Sequence, residues 1–244
     1  MQGTLTDLAR GALDLLWPRD CFVCAASLAG TEDPWLCGAC REGLPLFGEA
    51  ATLCERCSAP LGPATAEGGC RDCRRLPPRF EAVRAAGAYA GPLRRLVTGL
   101  KYAGRTHCAW PLGEILADRL RGWGPLPPDA VLVPFPGTAA SRRKRGFDPP
   151  ALLAAEVAER LGLHLEERAL RRTGDPPPQA SLSLTDRLAA PRGTVEVARP
   201  PAVRGRTVLL LDDVLTTGAS ASEAARALRA AGSGPVLVAV VARA

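Results

Sequence analysis

The sequence predicts an α/β protein in which a mostly parallel sheet is flanked by helices and preceded by a small cysteine-rich region. Three observations support this prediction. Eight of the nine cysteines lie between positions 21 and 73. Beyond Pro77 and Pro78, strand-like apolar runs alternate with segments whose apolar residues recur at helical spacing, which is typical of parallel α/β sheets. The apolar run 208–211 ends in two aspartates and leads directly into a helical pattern, as a buried parallel strand does.

The individual elements follow from this periodicity. Leucine and valine at helical spacing predict helices, and continuous apolar runs predict strands. The predicted strands are 82–89, 131–135, 208–212 and 235–242, and the predicted helices are 92–101, 111–121, 151–161 and 221–231. Two loops are expected: a basic one at 142–147, and a long one at 174–185 that contains three consecutive prolines. A loop of that length usually carries function.

Two regions are expected, residues 1–78 and residues 79–244. The first begins with a short amphipathic helix at 5–17 and continues with the cysteines. The second is long enough to bury a substantial core. Because no secretory signal is evident and no run reaches about 18 apolar residues, we expect a cytoplasmic protein without membrane insertion.

Four Cys-x-x-Cys pairs form an internal duplication with a period of 33 residues. The pairs are Cys21/Cys24, Cys37/Cys40, Cys54/Cys57 and Cys70/Cys73. A module of about twenty residues buries too little apolar surface to fold unaided. Four thiolates around one Zn²⁺ supply the missing stability, of order 10 kcal/mol. We therefore predict two closed, structural zinc sites, in modules 21–40 and 54–73.

The spacing leaves the pairing of these cysteines open. Sequential sites would join the first pair with the second and the third with the fourth, which the duplication favours, whereas a cross-braced arrangement would join the first with the third. Disulfides are disfavoured because no export signal is present, and redox chemistry is disfavoured because no strand–helix context surrounds any pair. Cys108 stands alone and is interpreted as a small core residue.

The strongest functional signal lies at 208–220. The apolar run ends in Asp212 and Asp213, which suit sugar hydroxyls or a position near Mg²⁺. The residues that follow crowd hydroxyls and backbone N–H groups at a helix start, which favours a phosphate. They are Thr216, Thr217, Gly218, Ala219 and Ser220. The alternative is a strand that ends in a solvated acidic pair before an ordinary helix cap.

This thirteen-residue stretch closely resembles the signature of type I phosphoribosyltransferases, which bind 5-phosphoribosyl-1-pyrophosphate (PRPP). Other landmarks narrow the resemblance: the paired Cys-x-x-Cys modules, Leu-Lys-Tyr-Ala-Gly-Arg at 100–105 and Arg-Gly-Phe at 145–147. In this order they resemble the ComF family, which includes competence-associated proteins and carries a double zinc ribbon before a phosphoribosyltransferase domain. The resemblance covers nearly the whole chain, from Cys21 to the last strand.

The resemblance implies a type I phosphoribosyltransferase-like fold and a Mg²⁺-dependent displacement of pyrophosphate from C1 of PRPP by an unknown acceptor. Asp212 and Asp213 would hold the ribose hydroxyls, and the loop 216–220 would wrap the 5′-phosphate. We expect Lys101 and Arg145 to balance the pyrophosphate; a solvated basic face is the alternative for both. A mobile lid would include Arg171, Arg172 and Gln179.

The sequence departs from the family in two loops that are expected to face pyrophosphate or the acceptor. Asp148 and Pro149 stand where Asn-Gln is common. A second family segment is only partly present, as Gln179, Leu182 and Arg187, with Ala190 where asparagine is usual. Three functions therefore stay open: a phosphoribosyltransferase, a PRPP-binding regulator without turnover, and a DNA-uptake accessory.

Charge is distributed unevenly and bears on the partners. Residues 1–80 carry 8 basic and 10 acidic side chains, whereas residues 81–244 carry 23 and 15. The second region is thus the one expected to hold a polyanion such as PRPP. Each Zn(Cys)₄ centre adds further negative charge to the first region, so we expect the ribbons to contact another protein or to pack against the second region. As a DNA-uptake accessory, the protein would dock its ribbons onto a DNA-translocation partner. Direct contact with single-stranded DNA rests on the family alone, because no aromatic–basic stacking pattern is evident in the sequence.

Overall fold

The computed structural model of the protein describes residues 19–48, 51–62, 69–173 and 193–244. The predicted helix at 5–17 and the predicted loop at 174–185 lie outside these residues. So do Gln179, Leu182, Arg187 and Ala190.

A parallel five-stranded sheet forms the centre of the protein. The strands of the described chain are β1 Ala82–Ala88, β2 Val131–Pro134, β3 His164–Leu165, β4 Leu170–Arg172, β5 Val195–Val197, β6 Val208–Leu215 and β7 Val236–Arg243. The sheet has the order β1-β7-β6-β2-β3, and all of its pairs are parallel. Strands β4 and β5 form a separate antiparallel pair. The predicted mostly parallel α/β fold is confirmed.

Helices cover both faces of this sheet. The helices of the described chain are α1 Gly38–Glu42, α2 Arg71–Arg75, α3 Gly91–Tyr102, α4 Ala109–Arg121, α5 Ala139–Arg145, α6 Pro149–Leu161, α7 Pro200–Val203 and α8 Ala219–Ala230. Side chains of β6 alternate between two cores because successive residues of a strand point to opposite faces. Leu209 and Leu211 pack with α3, α4 and α6, whereas Val208 and Leu210 pack with α8.

Two predicted boundaries were wrong. The segment 142–147, predicted to be a basic loop, contains most of helix α5. The helix begins after Thr138, and the side-chain oxygen of Thr138 accepts the N–H of Ser141 at 3.0 Å. It ends at Gly146, which has φ 78°. The run of basic residues hid this helix, although its two caps are standard signals. Strand β6 continues to Leu215, beyond the predicted end at position 212, so that Asp213 also lies inside the strand.

The cysteine-rich region packs along the exposed edge of β1. The N–H of Phe47 donates to the carbonyl of Ala86 at 2.9 Å, and the N–H of Ala88 donates to that of Pro45 at 2.9 Å. A side chain at Gly87 would place its Cβ 2.3 Å from the carbonyl oxygen of Pro45, so the close approach requires glycine. This segment protects an edge that would otherwise expose unpaired backbone groups.

Candidate functional site

A cavity of about 430 Å³ opens at the carboxyl ends of the parallel strands. Its walls come from Tyr89 after β1, the loop 135–138 after β2, the end of β6 and the start of α8. Strands β2 and β6 are neighbours in the sheet although they are far apart in the chain. A crevice at this edge of an open parallel sheet is where ligands bind in α/β proteins.

The acidic pair of β6 forms one wall of the cavity together with Lys101 from α3. The side chain of Asp213 is only 4% exposed, and its Oδ1 lies 2.7 Å from Nζ of Lys101. The same Oδ1 accepts the N–H of Val214 at 2.7 Å. Lys101 was predicted to balance a pyrophosphate, and the structure places it in an ion pair with Asp213 at the cavity wall. The pairing gives the site a fixed arrangement of charges.

Burial and proximity shift the pKa values of this group. Burial raises the pKa of Asp212 well above its ordinary value, and the neighbouring Asp213 raises it further, against the opposing charge of Lys101. Burial lowers the pKa of Lys101, but the carboxylates of Asp213 and Asp212 outweigh that effect, so the net shift is upward. Lys101 is therefore a cation at neutral pH, and Asp212 readily shares or accepts a proton.

The loop after β6 has the geometry of an anion site. Gly218 adopts φ 78° and starts α8, and the N–H of Ala219 bonds only weakly to Oγ1 of Thr217, at 3.3 Å. Within the described residues, the backbone N–H groups of Thr216, Thr217 and Gly218 donate no hydrogen bond. Unoccupied N–H groups at the positive end of a twelve-residue helix attract a phosphate.

Only some of the basic residues predicted for this site line the cavity. Arg145 lines the cavity with its guanidinium 5.5 Å from the ring centre of the exposed Tyr102. Arg172 also lines the cavity, where it lies over the ring of Phe135 and donates to the carbonyl of Pro136 at 3.1 Å. Arg171 points elsewhere and pairs with Glu196. The cavity therefore gathers Lys101, Arg145 and Arg172, whereas Arg171 is not part of it.

Asp148 is a cavity residue that the sequence analysis did not propose as a site residue. Its Oδ2 accepts the N–H of Gly137 at 2.9 Å, and its buried Oδ1 has no hydrogen-bond partner among the described residues. Burial raises the pKa of Asp148 above its ordinary value, although the Gly137 N–H and Arg142 oppose the shift. Its replacement of the family asparagine was the only sequence signal that pointed to it.

The cysteines form two compact groups in sequential order. The first cluster is Cys21, Cys24, Cys37 and Cys40, and the second cluster is Cys54, Cys57, Cys70 and Cys73. Within each cluster the sulfur atoms lie within 4.8 Å of one another. The sequential pairing is therefore confirmed, and the cross-braced alternative is wrong.

Both clusters fit tetrahedral zinc, which takes four thiolates in closed structural sites. The pKa of Cys57 is lowered to about 5, chiefly because the Cys73 thiol donates to it. Burial raises the pKa of Cys21, but backbone N–H groups of Cys37 and Cys24 outweigh it and lower the value to about 6. Each cluster thus favours at least one thiolate, the form that binds metal.

The second cluster adjoins the loop after β6. A cavity of about 300 Å³ lies between them, lined by residues of both. Arg243 bridges the two sides, because its Nε donates to the carbonyl of Cys57 and its Nη1 to that of Leu215, both at 3.2 Å. Phe80 lies beneath Gly218, and the N–H of Arg79 donates to Oγ of Ser222 at 2.9 Å. The second cluster therefore supports the loop from outside the central cavity.

Residues that neighbour the first cluster in the chain contribute to an aromatic groove of about 540 Å³, which shares no lining residue with the central cavity. Phe22 and His107 meet edge to face with ring centres 4.5 Å apart, and Trp35 and the exposed Trp110 line the same groove. Arg105 donates to the carbonyl of Phe22 at 2.7 Å. Burial and the charge of Arg105 lower the pKa of His107, so that the ring is neutral at physiological pH.

Sequence comparisons match both regions of the chain to known proteins. The double zinc ribbon domain family matches residues 12–74. The DNA utilization protein YhgH of Salmonella typhi is 29% identical over 229 residues, which cover 91% of this chain and 95% of that protein. The adenine phosphoribosyltransferase of Mycobacterium avium (strain 104) is 36% identical over 125 residues, which cover 48% of this chain and 68% of that protein.

A structural comparison adds a more distant likeness. The glutamine phosphoribosylpyrophosphate amidotransferase from B. subtilis, complexed with ADP and GMP, aligns at 21% identity with a TM-score of 0.36. The alignment covers 53% of this chain and 25% of that one, so the chain spans about a quarter of its length. At this TM-score the fold assignment rests on the sheet order itself. Within the described residues, every helix is too short or too polar to traverse a bilayer.

Proposed function

Because the chain belongs to the ComF family, with a double zinc ribbon ahead of a phosphoribosyltransferase-like fold, we propose that it binds PRPP in the central cavity and transfers the phosphoribosyl group to an acceptor. The observation that carries this proposal is the loop after β6. Within the described residues, the N–H groups of Thr216, Thr217 and Gly218 donate no hydrogen bond. Thr216 and Ser220 of this loop line the same cavity as the Asp213–Lys101 pair. A phosphate site beside carboxylates is the combination that a phosphorylated sugar requires.

Different residues of the cavity bind different parts of the ligand. The loop 216–220 holds the 5′-phosphate through main-chain N–H groups, as helix N-termini do. Asp212 and Asp213 accept hydrogen bonds from the ribose hydroxyls, and Lys101 fixes the orientation of Asp213. Arg145 faces the pyrophosphate and offsets the charge that develops on it as the C1–O bond breaks. Mg²⁺ held near Asp212 and Asp213 would supply Lewis-acid stabilisation of the leaving pyrophosphate.

A calorimetric titration with PRPP and Mg²⁺ tests the binding step. Ser220→Asp places a carboxylate at the phosphate loop, and like-charge repulsion is expected to lower the PRPP affinity at least tenfold. Ser233→Asp, beyond the far end of α8, is the matched control and should bind as the wild type does. Equal affinity of all three proteins would contradict the proposed phosphate site.

Turnover separates the transferase from a regulator that only binds PRPP. The transferase releases pyrophosphate from PRPP when an acceptor is present, and a screen of nucleobases and amines with a pyrophosphate assay measures this release. The adenine phosphoribosyltransferase among the relatives makes adenine the first acceptor to test. Tight PRPP binding without release for any acceptor would favour the regulator.

A second candidate function, contact with single-stranded DNA, is favoured by the aromatic groove. The relatives that share nearly the whole chain are DNA utilization proteins, and the groove brings Trp35, Trp110 and Arg105 together. Aromatic side chains beside arginine stack bases without sequence preference. The same surface is available to a DNA-translocation protein that docks on the zinc ribbons.

Trp110→Ala tests the DNA contact. Loss of one stacking ring is expected to weaken single-stranded DNA binding about tenfold, because one base stack is worth about 1–3 kcal/mol. Fluorescence anisotropy at several salt concentrations measures it, and Trp123→Ala, outside the groove, is the control. Absence of binding at low salt would exclude direct DNA contact.

We also propose a cytoplasmic location, because thiolate metal sites persist where thiols stay reduced.

A further inference from the structure

The carboxyl group of Asp148 lies at the wall of the central cavity, and only one of its two oxygen atoms is hydrogen bonded within the described residues. The residue lies directly before α6, and only its Oδ2 is hydrogen bonded, to the N–H of Gly137. Its Oδ1 is buried against Gly137, where an added Cβ would lie 2.7 Å away. An ionised carboxylate has about four acceptor positions, and the described residues satisfy one of them. The negative form of Asp148 is therefore poorly stabilised by its surroundings.

The charges that face Asp148 come from several elements. Arg142 and Arg145 on α5 favour its negative form, whereas Asp213 on β6 opposes it. Lys101 on α3 is already paired with Asp213, and Arg172 on β4 lies over Phe135 and donates to the carbonyl of Pro136. The described charged residues of the cavity wall are thus three cations and three carboxylates, Lys101, Arg145 and Arg172 with Asp148, Asp212 and Asp213. A strongly anionic ligand adds negative charge beside Asp148, Asp212 and Asp213 and so opposes the ionised form of these carboxyl groups.

We infer that Asp148 takes up a proton when the anionic ligand binds, so that this carboxyl group makes its own contribution to the pH dependence of the affinity. The inference rests on the proposed binding of PRPP. Once the ligand is present, Arg145 interacts with the pyrophosphate and stabilises the negative charge of Asp148 less than before. The negative charge of the ligand also disfavours the ionised form of Asp148. Both effects favour the protonated form of Asp148. In that form the carboxyl group is neutral and does not repel the anionic ligand.

The sign of the effect follows from linkage. Burial already raises the pKa of Asp148 in the free protein, and the ligand raises it again in the complex. Below both values the group is neutral in both states, and affinity is highest. At a pH between the pKa of Asp148 in the free protein and its pKa in the complex, Asp148 must take up a proton when the ligand binds. The affinity therefore falls as the pH rises, by up to about tenfold per pH unit. Above both values the affinity levels off at its lowest.

Asp148→Asn is the test because asparagine still accepts the Gly137 N–H through its side-chain oxygen but cannot change charge. PRPP binding with Mg²⁺ is measured by calorimetry between pH 5.5 and 8.5 for the wild type and the variant, in two buffers of different ionisation enthalpy. The wild type is expected to take up about one more proton than Asp148→Asn inside the window. PRPP titrates identically in both experiments, so the difference isolates Asp148.

The outcomes separate this inference from the proposed function. Parallel pH profiles with equal proton uptake would overturn the role of Asp148 while PRPP binding stands. Failure of both proteins to bind PRPP at any pH would overturn the proposed function, and this inference with it. Infrared difference spectra give a second measurement, in which PRPP binding should produce the carbonyl stretch of a protonated carboxyl group in the wild type but not in Asp148→Asn. Its absence would also overturn the inference.

Discussion

Asp213→Ala is expected to abolish PRPP binding and to lower the free energy of unfolding by about 2 kcal/mol. Asp213 is almost fully buried and forms a 2.7 Å ion pair with Lys101. Removing one partner of a buried pair leaves the other charge uncompensated, which costs about 3–5 kcal/mol in a closed interior. Lys101 is 23% exposed in the cavity, so water recovers part of that cost. Urea unfolding and calorimetry with PRPP measure the two effects.

A double variant separates the role of Asp213 in the ligand site from its role as the partner of Lys101. In Lys101→Met with Asp213→Asn, neither charge is left unpaired, and the asparagine oxygen still accepts the N–H of Val214. Its stability is expected to return to near that of the wild type, whereas PRPP binding stays lost. Recovery of PRPP binding in the double variant would show that Asp213 acts only as the structural partner of Lys101.

The elements that the sequence predicted well are those with a strong local signal. The apolar runs of β1, β2, β6 and β7 are long and continuous, so their positions were right to within a few residues. The loop 216–220 could be predicted as a phosphate site because its glycine and hydroxyl residues are adjacent in the chain. The short strands β3, β4 and β5 carry no such pattern, since two or three residues give no periodicity.

The features that the sequence did not reveal depend on contacts between distant residues. The aromatic groove joins Phe22 and Trp35 of the first cluster region to His107 and Trp110, and no local pattern links them. Asp148 lies in a loop that was expected to face pyrophosphate or the acceptor, but its hydrogen bond to Gly137, eleven positions earlier, was not predictable from the chain. The cysteine spacing fitted both pairings, and only the positions of the sulfur atoms distinguish them.

The two cysteine clusters are alike in sequence but differ in what they support. Ser58, in the second cluster region, is buried and donates its hydroxyl to the carbonyl of Val83 at 2.8 Å, inside β1. Arg243 links Cys57 to the end of β6. The first cluster instead contacts Arg105 and the aromatic groove. An internal duplication has therefore produced one module that faces the proposed PRPP site and one that does not.

Loss of the second zinc site is accordingly expected to weaken PRPP binding at least tenfold, whereas loss of the first is expected to change it less than about twofold. Cys70→Ser and Cys37→Ser are matched variants, because both residues are partly buried and stand directly before the short helix of their module. A structural zinc site supplies of order 10 kcal/mol, so each substitution should release its own metal and disorder its own module. Metal analysis should return two zinc ions per wild-type chain and one per variant, and calorimetry gives the affinities.

The same coupling can be measured on the unaltered protein, where no variant can misfold. If the second cluster supports the phosphate loop, PRPP must stabilise that cluster in return, because coupling between two sites is reciprocal. Saturating PRPP is therefore expected to slow the release of one of the two zinc ions to a chelator and to leave the other unchanged. A colorimetric chelator assay follows both phases. Equal release with and without PRPP would show that the contacts of Arg243 and Phe80 with the loop carry no energy between the two sites.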